Sequence, residues 1–274
     1  MIFTKMQGTG NDFVVIEDLN NELVGKESEV AKKLCHRRFG IGADGILLVR
    51  ESHIADVQMV IINADGSYAE MCGNGIRCFA KYVYEEGIVP NEVIKIETGD
   101  GIKTAFLSIK DSKVQGITIN MGNYSFKPED FAADSKENVI EKNIIANGKE
   151  YKITSMLMGV PHTVVMGNID AYETEEGKYI EKYPLFKNRT NVNFCQVIDK
   201  DLIKVKTWER GAGPTLACGT GSCASAICAN YLGYTNPKVK IIVPGGELIV
   251  EVKDEGVLMT GPAEIVYKGE IFSN

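Results

Sequence analysis

The stretch that decides the fold is NADGSYAEMCGNGIRCFAKYVYEEG, residues 63–87, because it has an echo in ERGAGPTLACGTGSCASAICANYLG, residues 209–233. Corresponding positions lie 146 residues apart (63 and 209). The segments that follow also match, since NEVIKIETGDGIKTAFLSIK begins at Asn91 and NPKVKIIVPGGELIVEVKD begins at Asn236. A pattern repeated at this distance predicts a duplicated chain with two similar domains.

Each copy predicts one helix that begins just beyond a CGxG element. Apolar and aromatic residues recur at helical spacing after both cysteines. After Cys72 they are Ile76, Phe79, Ala80, Val83 and Tyr84; after Cys218 they are Ala224, Ile227, Cys228 and Leu232.

Short alternating runs separated by Gly, Pro, Asn or Asp predict strands around these helices. They are VQMVIIN, VIKIET, KTAFLSI, IKVKTWE, VKIIVP and ELIVEV. Strands wrapping one central helix, twice over, indicate an α+β fold of two similar domains with a boundary near residue 118. The polar segment from Asn123 to Tyr151 is expected to be a surface excursion near that boundary.

Composition is that of an ordinary globular protein. The net charge is −7, and no Lys/Arg run of the kind that follows a phosphate backbone occurs, so nucleic acid is not an expected partner. The N-terminus has no apolar signal region and no stretch of 18 apolar residues exists, which predicts a cytoplasmic protein with no membrane partner.

The seven cysteines are an odd number in a chain without an export signal, so reduced thiols are expected rather than a disulfide framework. No CxxC pair exists and the three histidines do not pair with cysteines at finger spacing, so no metal and no other cofactor is predicted. Four cysteines lie in apolar patterns and are expected to fill the core. These are Cys78, Cys195, Cys223 and Cys228.

Cys72 and Cys218 stand where a thiol gains reactivity. A cysteine directly before a helix lies near unpaired backbone N–H groups and the positive end of the helix dipole, which favour thiolate over thiol. The glycines beside each cysteine let backbone amides approach a bound carboxylate. If the two halves face each other, one thiol lies on either side of a small ligand, as removal of a proton from one face and delivery to the other requires.

Other interpretations stay open at this point. A single cysteine in a Gly-rich turn is often a small buried hydrophobe, and either thiol with His162 would suit a cysteine hydrolase. A module that binds an amino acid without chemistry is a third alternative. His162 itself is either a satisfied structural histidine or a supporting catalytic group. Glu209 and Arg210 suit a surface ion pair, although Glu209 takes the place that Asn63 holds in the first half.

At the level of motifs the sequence resembles the diaminopimelate epimerases. The motifs that carry the resemblance agree in order and spacing over nearly the whole chain. They are KMQGTGNDFVV at the start, GIGADG (40–45), NADGSxAxMCGNGxRC (63–78), TNVNF (190–194), WERGAGPTLACGTG (208–221) and PGGEL (244–248).

This resemblance implies two antiparallel barrel-like units around central helices, with domain bounds 1–117 and 118–262. A C-terminal segment, 263–274, returns to complete the first domain. It implies interconversion of LL- and meso-diaminopimelate without a cofactor, on the route to lysine and peptidoglycan, by a homodimer. Cys72 and Cys218 would transfer the protons, supported by His162 and Glu209. The substrate-binding residues would be Asn11, Asn63, Gly73, Asn74, Asn191, Glu209, Arg210, Gly219 and Thr220.

Two positions depart from the family pattern. Val160 stands where the family often has a substrate-binding Asn, and Gly45 stands where some members carry Gln. A related cofactor-independent racemase, acting for instance on histidine or proline, is therefore the alternative within the same class. The GNDF start and the ERGAG block favour the epimerase over the proline racemase group.

Overall fold

The computed structural model describes residues 1–111 and 113–272. The chain divides into two compact units, 1–120 with 260–274, and 121–259. The bounds expected from the sequence differ from these by three residues at each junction (117 and 120, 263 and 260).

Among its described residues, the first unit holds two helices, α1 and α2, and nine strands. The helices are α1 Glu27–Cys35 and α2 Gly73–Glu85. The strands are β1 Ile2–Gly8, β2 Asn11–Glu17, β3 Gly45–Arg50, β4 Val57–Asn63, β5 Tyr68–Ala69, β6 Val93–Thr98, β7 Gly101–Lys110, β8 Lys113–Asn120 and the C-terminal β18 Glu264–Glu270.

The second unit holds helices α3 Gly177–Glu181 and α4 Gly219–Tyr231, with 3₁₀ turns at Pro128–Phe131, Ile169–Ala171 and Thr174–Glu176. Its strands are β9 Lys142–Ala146, β10 Lys149–Met158, β11 Val160–Met166, β12 Asn191–Asp199, β13 Leu202–Glu209, β14 Gly213–Thr215, β15 Lys238–Val243, β16 Gly246–Lys253 and β17 Gly256–Gly261, which crosses the second junction.

Each unit wraps its strands around one central helix, as the sequence predicted. Helix α2 packs against β1, β2, β3, β7 and β8, and its residues Ile76, Phe79 and Val83 are fully buried. Helix α4 packs against β10, β11, β12 and β16. Its inward residues are mostly Gly, Ala, Ser and Cys, and such small side chains let strands approach a helix closely on several sides.

The two units repeat the same strand-pairing plan. Most neighbouring strands are antiparallel, but β2–β3 and β4–β6 in the first unit, and β11–β12 and β13–β15 in the second, pair in parallel. In the β2–β3 pair Phe13 lies opposite Gly45, and in the β11–β12 pair His162 lies opposite Asn191. Strand β18 pairs antiparallel with β1, with Ile2 opposite Glu270.

The expectation that residues 123–151 form a surface excursion is wrong. Phe131 and Val139 are buried in the core of the second unit, and β9 and the start of β10 add Ile144 and Tyr151 to the same core. The pattern is misleading because the apolar residues are widely spaced among charges, so each short element buries only a few side chains while its other face stays polar.

The prediction of four core cysteines is confirmed. Cys78, Cys195, Cys223 and Cys228 are at most 1 % exposed. Burial raises the pKa of Cys78 and that of Cys195 to about 12, which keeps both thiols protonated and inert near neutral pH. Within residues 1–111 and 113–272, no helix has the length and apolar character that crossing a membrane requires.

Candidate functional site

Cys72 is the N-cap residue of α2. Its backbone is extended, with φ −142° and ψ 117°, and its Sγ accepts a hydrogen bond from the backbone N–H of Gly75 at 3.4 Å. An N-cap side chain normally supplies a Ser, Thr, Asp or Asn oxygen to the third helical N–H. Here a sulfur does so, and the helix dipole favours negative charge on it.

Cys218 has the same local structure at the start of α4. Its backbone has φ −113° and ψ 113°, and its Sγ accepts from the backbone N–H of Gly221, also at 3.4 Å. Thr220 Oγ1 lies 3.5 Å from the sulfur. The duplicated CGxG elements therefore place two thiols in matching environments, one in each unit.

The thiol of Cys72 faces a carboxamide whose orientation the protein fixes. Cys72 Sγ donates to Asn11 Oδ1 at 3.5 Å, while Asn11 Nδ2 donates to Asp44 Oδ2 at 2.6 Å. Asp44 is in turn paired with Arg37 at 2.7 Å. The ion pair thus holds the oxygen end of Asn11 toward the sulfur.

A buried arginine supports the loop that carries Cys72. Arg77 is fully buried and donates to Gly73 O at 3.0 Å and to Asn74 Oδ1 at 3.1 Å. Asn74 Nδ2 donates to Asn11 Oδ1 at 3.4 Å. The side chain of Asn74 therefore braces the loop, and its neighbour Asn11 is the one that contacts the reactive atom.

Glu209 is the acidic neighbour of Cys218. It hydrogen-bonds with the Cys218 side chain and accepts from Thr215 Oγ1 at 2.8 Å. Burial raises the pKa of Glu209, against the opposing effect of these two hydrogen bonds. A carboxylate with raised basicity beside a thiol is suited to exchanging a proton with it.

Asn191 and Arg210 lie together beside Glu209. Asn191 Oδ1 accepts from the backbone N–H of Arg210 at 2.8 Å, and Asn191 Nδ2 donates to Pro161 O at 3.2 Å. The exposed guanidinium of Arg210 donates to Asn188 O at 2.8 Å. The backbone around Arg210 is thereby fixed while its side chain keeps further donors for an anion.

Asn63, the counterpart of Glu209 in the first unit, ends β4 and donates to Ser67 Oγ at 3.0 Å. The two positions therefore differ in charge, since an amide stands where the second unit has a carboxylate.

His162 lies in β11 and is fully buried. Burial, together with the positive charge of Arg210, lowers the pKa of His162 to about 3. Its Nδ1 lies 3.2 Å from Nδ2 of Asn193. The imidazole is therefore neutral throughout the physiological pH range.

The parallel strand pairs refine the sequence alignment of the two halves. Because Phe13 and His162 hold equivalent register positions, the counterpart of Asn11 is Val160, two residues earlier on its strand. Gly45 has a steric reason for lacking a side chain: a Cβ there would lie 2.7 Å from the carbonyl oxygen of Ile62. Both departures from the family pattern therefore lie beside the candidate site residues.

The sequence did not predict three residues whose hydrogen bonds place them beside the candidate site residues, namely Asp44, Arg77 and Asn193. All three residues lie in the quoted motifs: Asp44 in GIGADG, Arg77 in MCGNGIRC and Asn193 as the second asparagine of TNVNF. Each has hydrogen-bond partners that are distant in sequence, so the spacing of residues in a motif could not predict them.

Comparison with known proteins identifies the family of the chain. The chain matches the family model described as diaminopimelate epimerase over residues 3–127 and 154–266. It is 59% identical over 269 residues to a diaminopimelate epimerase of Clostridium perfringens, covering 98% of each chain.

Solved structures give the same fold at low identity. A PhzF-family phenazine biosynthesis protein of Bacillus anthracis matches with a TM-score of 0.73 at 18% identity, covering 100% of this chain and 99% of the other. A hydroxyproline epimerase of Agrobacterium vitis, solved with trans-4-hydroxy-L-proline, matches with a TM-score of 0.72 at 16% identity, covering 99% and 90%. These likenesses concern the architecture alone.

Proposed function

The chain belongs to the diaminopimelate epimerase family, and on that premise we propose that it interconverts LL- and meso-diaminopimelate with Cys72 and Cys218 as its proton-transfer groups. The enzyme is accordingly an isomerase. The observation that carries the proposal is the matched pair of N-cap sulfurs, each accepting a backbone N–H at 3.4 Å.

The proposed reaction moves one proton at each thiol. One sulfur, as thiolate, takes the α-proton of the substrate, and the electron pair left behind spreads into the adjacent carboxylate. The other sulfur, as thiol, gives its proton to the opposite face of the same carbon and becomes a thiolate. Because the reverse reaction exchanges the two roles, both sulfurs need an environment that tolerates thiol and thiolate alike.

The difficult step is to form a carbanion beside a carboxylate. Helix N-termini meet that need, since their first backbone N–H groups have no intrahelical partner and attract negative charge. We assign the amides around Gly73 and Asn74, and around Gly219 and Thr220, to the substrate carboxylate. Donors fixed in advance around a developing charge each contribute several kcal/mol in a site closed to water.

The neighbours of each sulfur take supporting roles in this proposal. Asn11 fixes the thiol of Cys72, and Glu209 exchanges a proton with Cys218 through their hydrogen bond. His162 assists in the second unit. The distal amino and carboxylate groups of a long substrate need polar partners, and we assign them to Asn63, Asn191 and Arg210, with Arg210 as the carboxylate clamp.

The activity test is incubation of the purified protein with LL-diaminopimelate under reducing conditions, followed by chiral chromatography. We expect meso-diaminopimelate to accumulate to equilibrium, and no racemisation of L-histidine or L-proline at the same enzyme concentration. Turnover of one of those amino acids without turnover of diaminopimelate would instead support the related racemase, with Val160 as the first residue to examine.

The same assay distinguishes an epimerase from a cysteine hydrolase and from a module that only binds an amino acid. A cysteine hydrolase would require one of the two thiols, and a binding module would retain the ligand without changing its configuration. Neither predicts the matched reactivity of two cysteines, whereas the epimerase does.

We further place the enzyme in the cytoplasm, on the route to lysine and peptidoglycan, as a homodimer. What supports the dimer is exposed apolar surface on the first unit, from large side chains on β1, on β18 and just after the end of β18. They are Ile2, Val266, Tyr267 and Phe272, between 44% and 77% exposed. A second copy of the chain would remove this surface from water.

A further inference from the structure

Asn193 lies at the centre of a polar cluster inside the second unit. Its side chain is fully buried in β12 and contacts His162, Thr163 and Thr207. A carboxamide in such a place has four hydrogen-bonding positions, and each unsatisfied one costs free energy. The way these positions are used therefore carries information about the neighbouring groups.

The carboxamide of Asn193 can take only one orientation. Its Oδ1 accepts from Thr207 Oγ1 at 3.0 Å, and its Nδ2 donates to the backbone carbonyl of Thr163 at 3.4 Å. A flipped amide would set Oδ1 against the Thr163 oxygen, and two acceptors would then face each other. The Nδ2 group accordingly faces Thr163 O and His162 Nδ1.

This orientation decides where the proton of His162 lies. An amide nitrogen donates and does not accept, so His162 Nδ1, 3.2 Å away, accepts through its lone pair. A neutral imidazole carries one proton, which therefore sits on Nε2. Burial and the charge of Arg210 keep the ring neutral, because they lower the pKa of His162 to about 3.

The Nε2–H group that results is an unused donor. Nε2 is buried and has no hydrogen-bond partner within residues 1–111 and 113–272. A buried N–H without an acceptor is unfavourable, because it has lost its hydrogen bonds to water and gained none in the protein. His162 lies opposite Asn191 in the strand register, among the proposed substrate-binding residues. An anion that forms or binds there would supply the missing acceptor.

We infer that Asn193 is a positioning residue that fixes His162 as the neutral Nε2–H tautomer, so that the histidine serves the reaction as a hydrogen-bond donor to an anion and not as a base. The inference rests on the proposed function for the identity of the anion, which is either the substrate carboxylate or the Cys218 thiolate. It does not rest on that function for the tautomer.

Asn193 also packs closely against the loop that carries Cys218. A Cβ at Gly221 would lie closer than 3.0 Å to Asn193 Oδ1, a separation that real Cβ atoms do not show. Gly221 is the residue whose N–H caps the Cys218 sulfur. One buried amide thus orients the histidine with its nitrogen end and lies against the thiol loop with its oxygen end.

The tautomer is tested by ¹⁵N NMR of the ring nitrogens, using couplings to the carbon-bound ring protons. The chain has three histidines, of which His36 and His53 are exposed, so the buried ring is readily distinguished. We expect His162 to show a protonated Nε2 and an unprotonated Nδ1, unchanged from pH 5 to pH 9. A protonated Nδ1, or protonation of the ring to the imidazolium form within that range, would overturn the inference whether or not the protein turns over diaminopimelate.

Variants test the role separately. In N193D a carboxylate replaces the donor, so the ring proton is expected to move to Nδ1 or the ring to become charged. In H162Q the side-chain oxygen can accept from Asn193 and the nitrogen can donate, which imitates the Nε2–H tautomer. We expect H162Q to keep kcat within about tenfold and H162L to lose roughly 100-fold or more. Equal losses in the two variants would indicate a base and contradict the inference.

The acceptor is identified with inactive C218A protein. If the substrate carboxylate accepts, the Nε2–H resonance of C218A shifts when LL-diaminopimelate is added. If the thiolate accepts, the resonance of the unmodified enzyme shifts with pH in the absence of substrate, and that shift is lost in C218A. A resonance that responds to neither would leave His162 without an anionic partner and would overturn the donor role.

Discussion

Replacement of either Cys72 or Cys218 by alanine is expected to abolish epimerisation, with a loss of roughly three to four orders of magnitude in kcat. Each thiol handles one of the two protons, so neither can substitute for the other. Each sulfur caps its helix by accepting a backbone N–H at 3.4 Å, and loss of an N-cap side chain costs about 1 kcal/mol of stability. The folded fraction should therefore be unchanged at 25 °C.

Steady-state kinetics with circular dichroism checks this expectation. Cys228→Ala is the matched control, because Cys228 lies in α4 as well, is fully buried, and contacts Met156 Sδ at 3.6 Å. The control should lose some thermal stability and keep its kcat. Full activity in either Cys72→Ala or Cys218→Ala would refute the two-thiol proposal.

Gly221→Ala is expected to damage the enzyme far more than Gly75→Ala, although the two glycines hold the same position in the two helices. A Cβ at Gly221 would collide with Asn193 Oδ1, whereas a Cβ at Gly75 would come no closer than 3.3 Å to the ring of Phe13. The collision forces the Cys218 loop or Asn193 to move. Overpacking of this kind costs about 1–3 kcal/mol, and displacement of a catalytic group by about 1 Å lowers the rate about 100-fold.

For Gly75→Ala the tight contact is offset by the helix propensity of alanine, worth about 1 kcal/mol. Its melting temperature and kcat should stay near those of the unmodified enzyme. The measurement is a paired comparison of melting temperature and kcat for the two variants. Equal behaviour of the pair would mean that Asn193 does not lie against the Cys218 loop as described.

Much of the fold was predictable because the sequence pattern of the first domain is repeated in the second. The helices after Cys72 and Cys218 were predicted, but they begin at Gly73 and Gly219, inside the CGxG elements and not just beyond them, because each cysteine is itself the N-cap residue. The alternating run VIKIET predicted β6 to the residue. The prediction for residues 123–151 was wrong because the burial of their apolar side chains depends on a core shared with residues of β10 and β12, which no local pattern in the sequence records.

From the residue pattern alone, without the family resemblance, the candidate site was predictable only where a residue lies at a helix start or at a repeated position. Cys72, Cys218 and Glu209 were found that way. Asn193 was missed because its role depends on a histidine from β11 and a threonine from β13, which the sheet brings together. Strand spacing predicts that an asparagine points inward, but not which ring it orients.

The pKa of His162 could not be predicted either, because burial is its main cause. Nothing near VPHTVV distinguishes a fully enclosed histidine from one at a strand edge. The sequence indicated His162 as a candidate supporting group, and the structure adds that it is fully buried, that its pKa is lowered, and that its Nε2 has no hydrogen-bond partner within residues 1–111 and 113–272.

The most direct test of the two-thiol account is proton NMR of LL-diaminopimelate turning over in deuterated water under reducing conditions. If one sulfur removes the α-proton and the other delivers a solvent-derived deuteron, the meso product first formed carries deuterium at the inverted carbon while the remaining LL substrate keeps its proton. A product that retains the original proton, or substrate that exchanges as fast as product forms, would mean that a single base works on both faces.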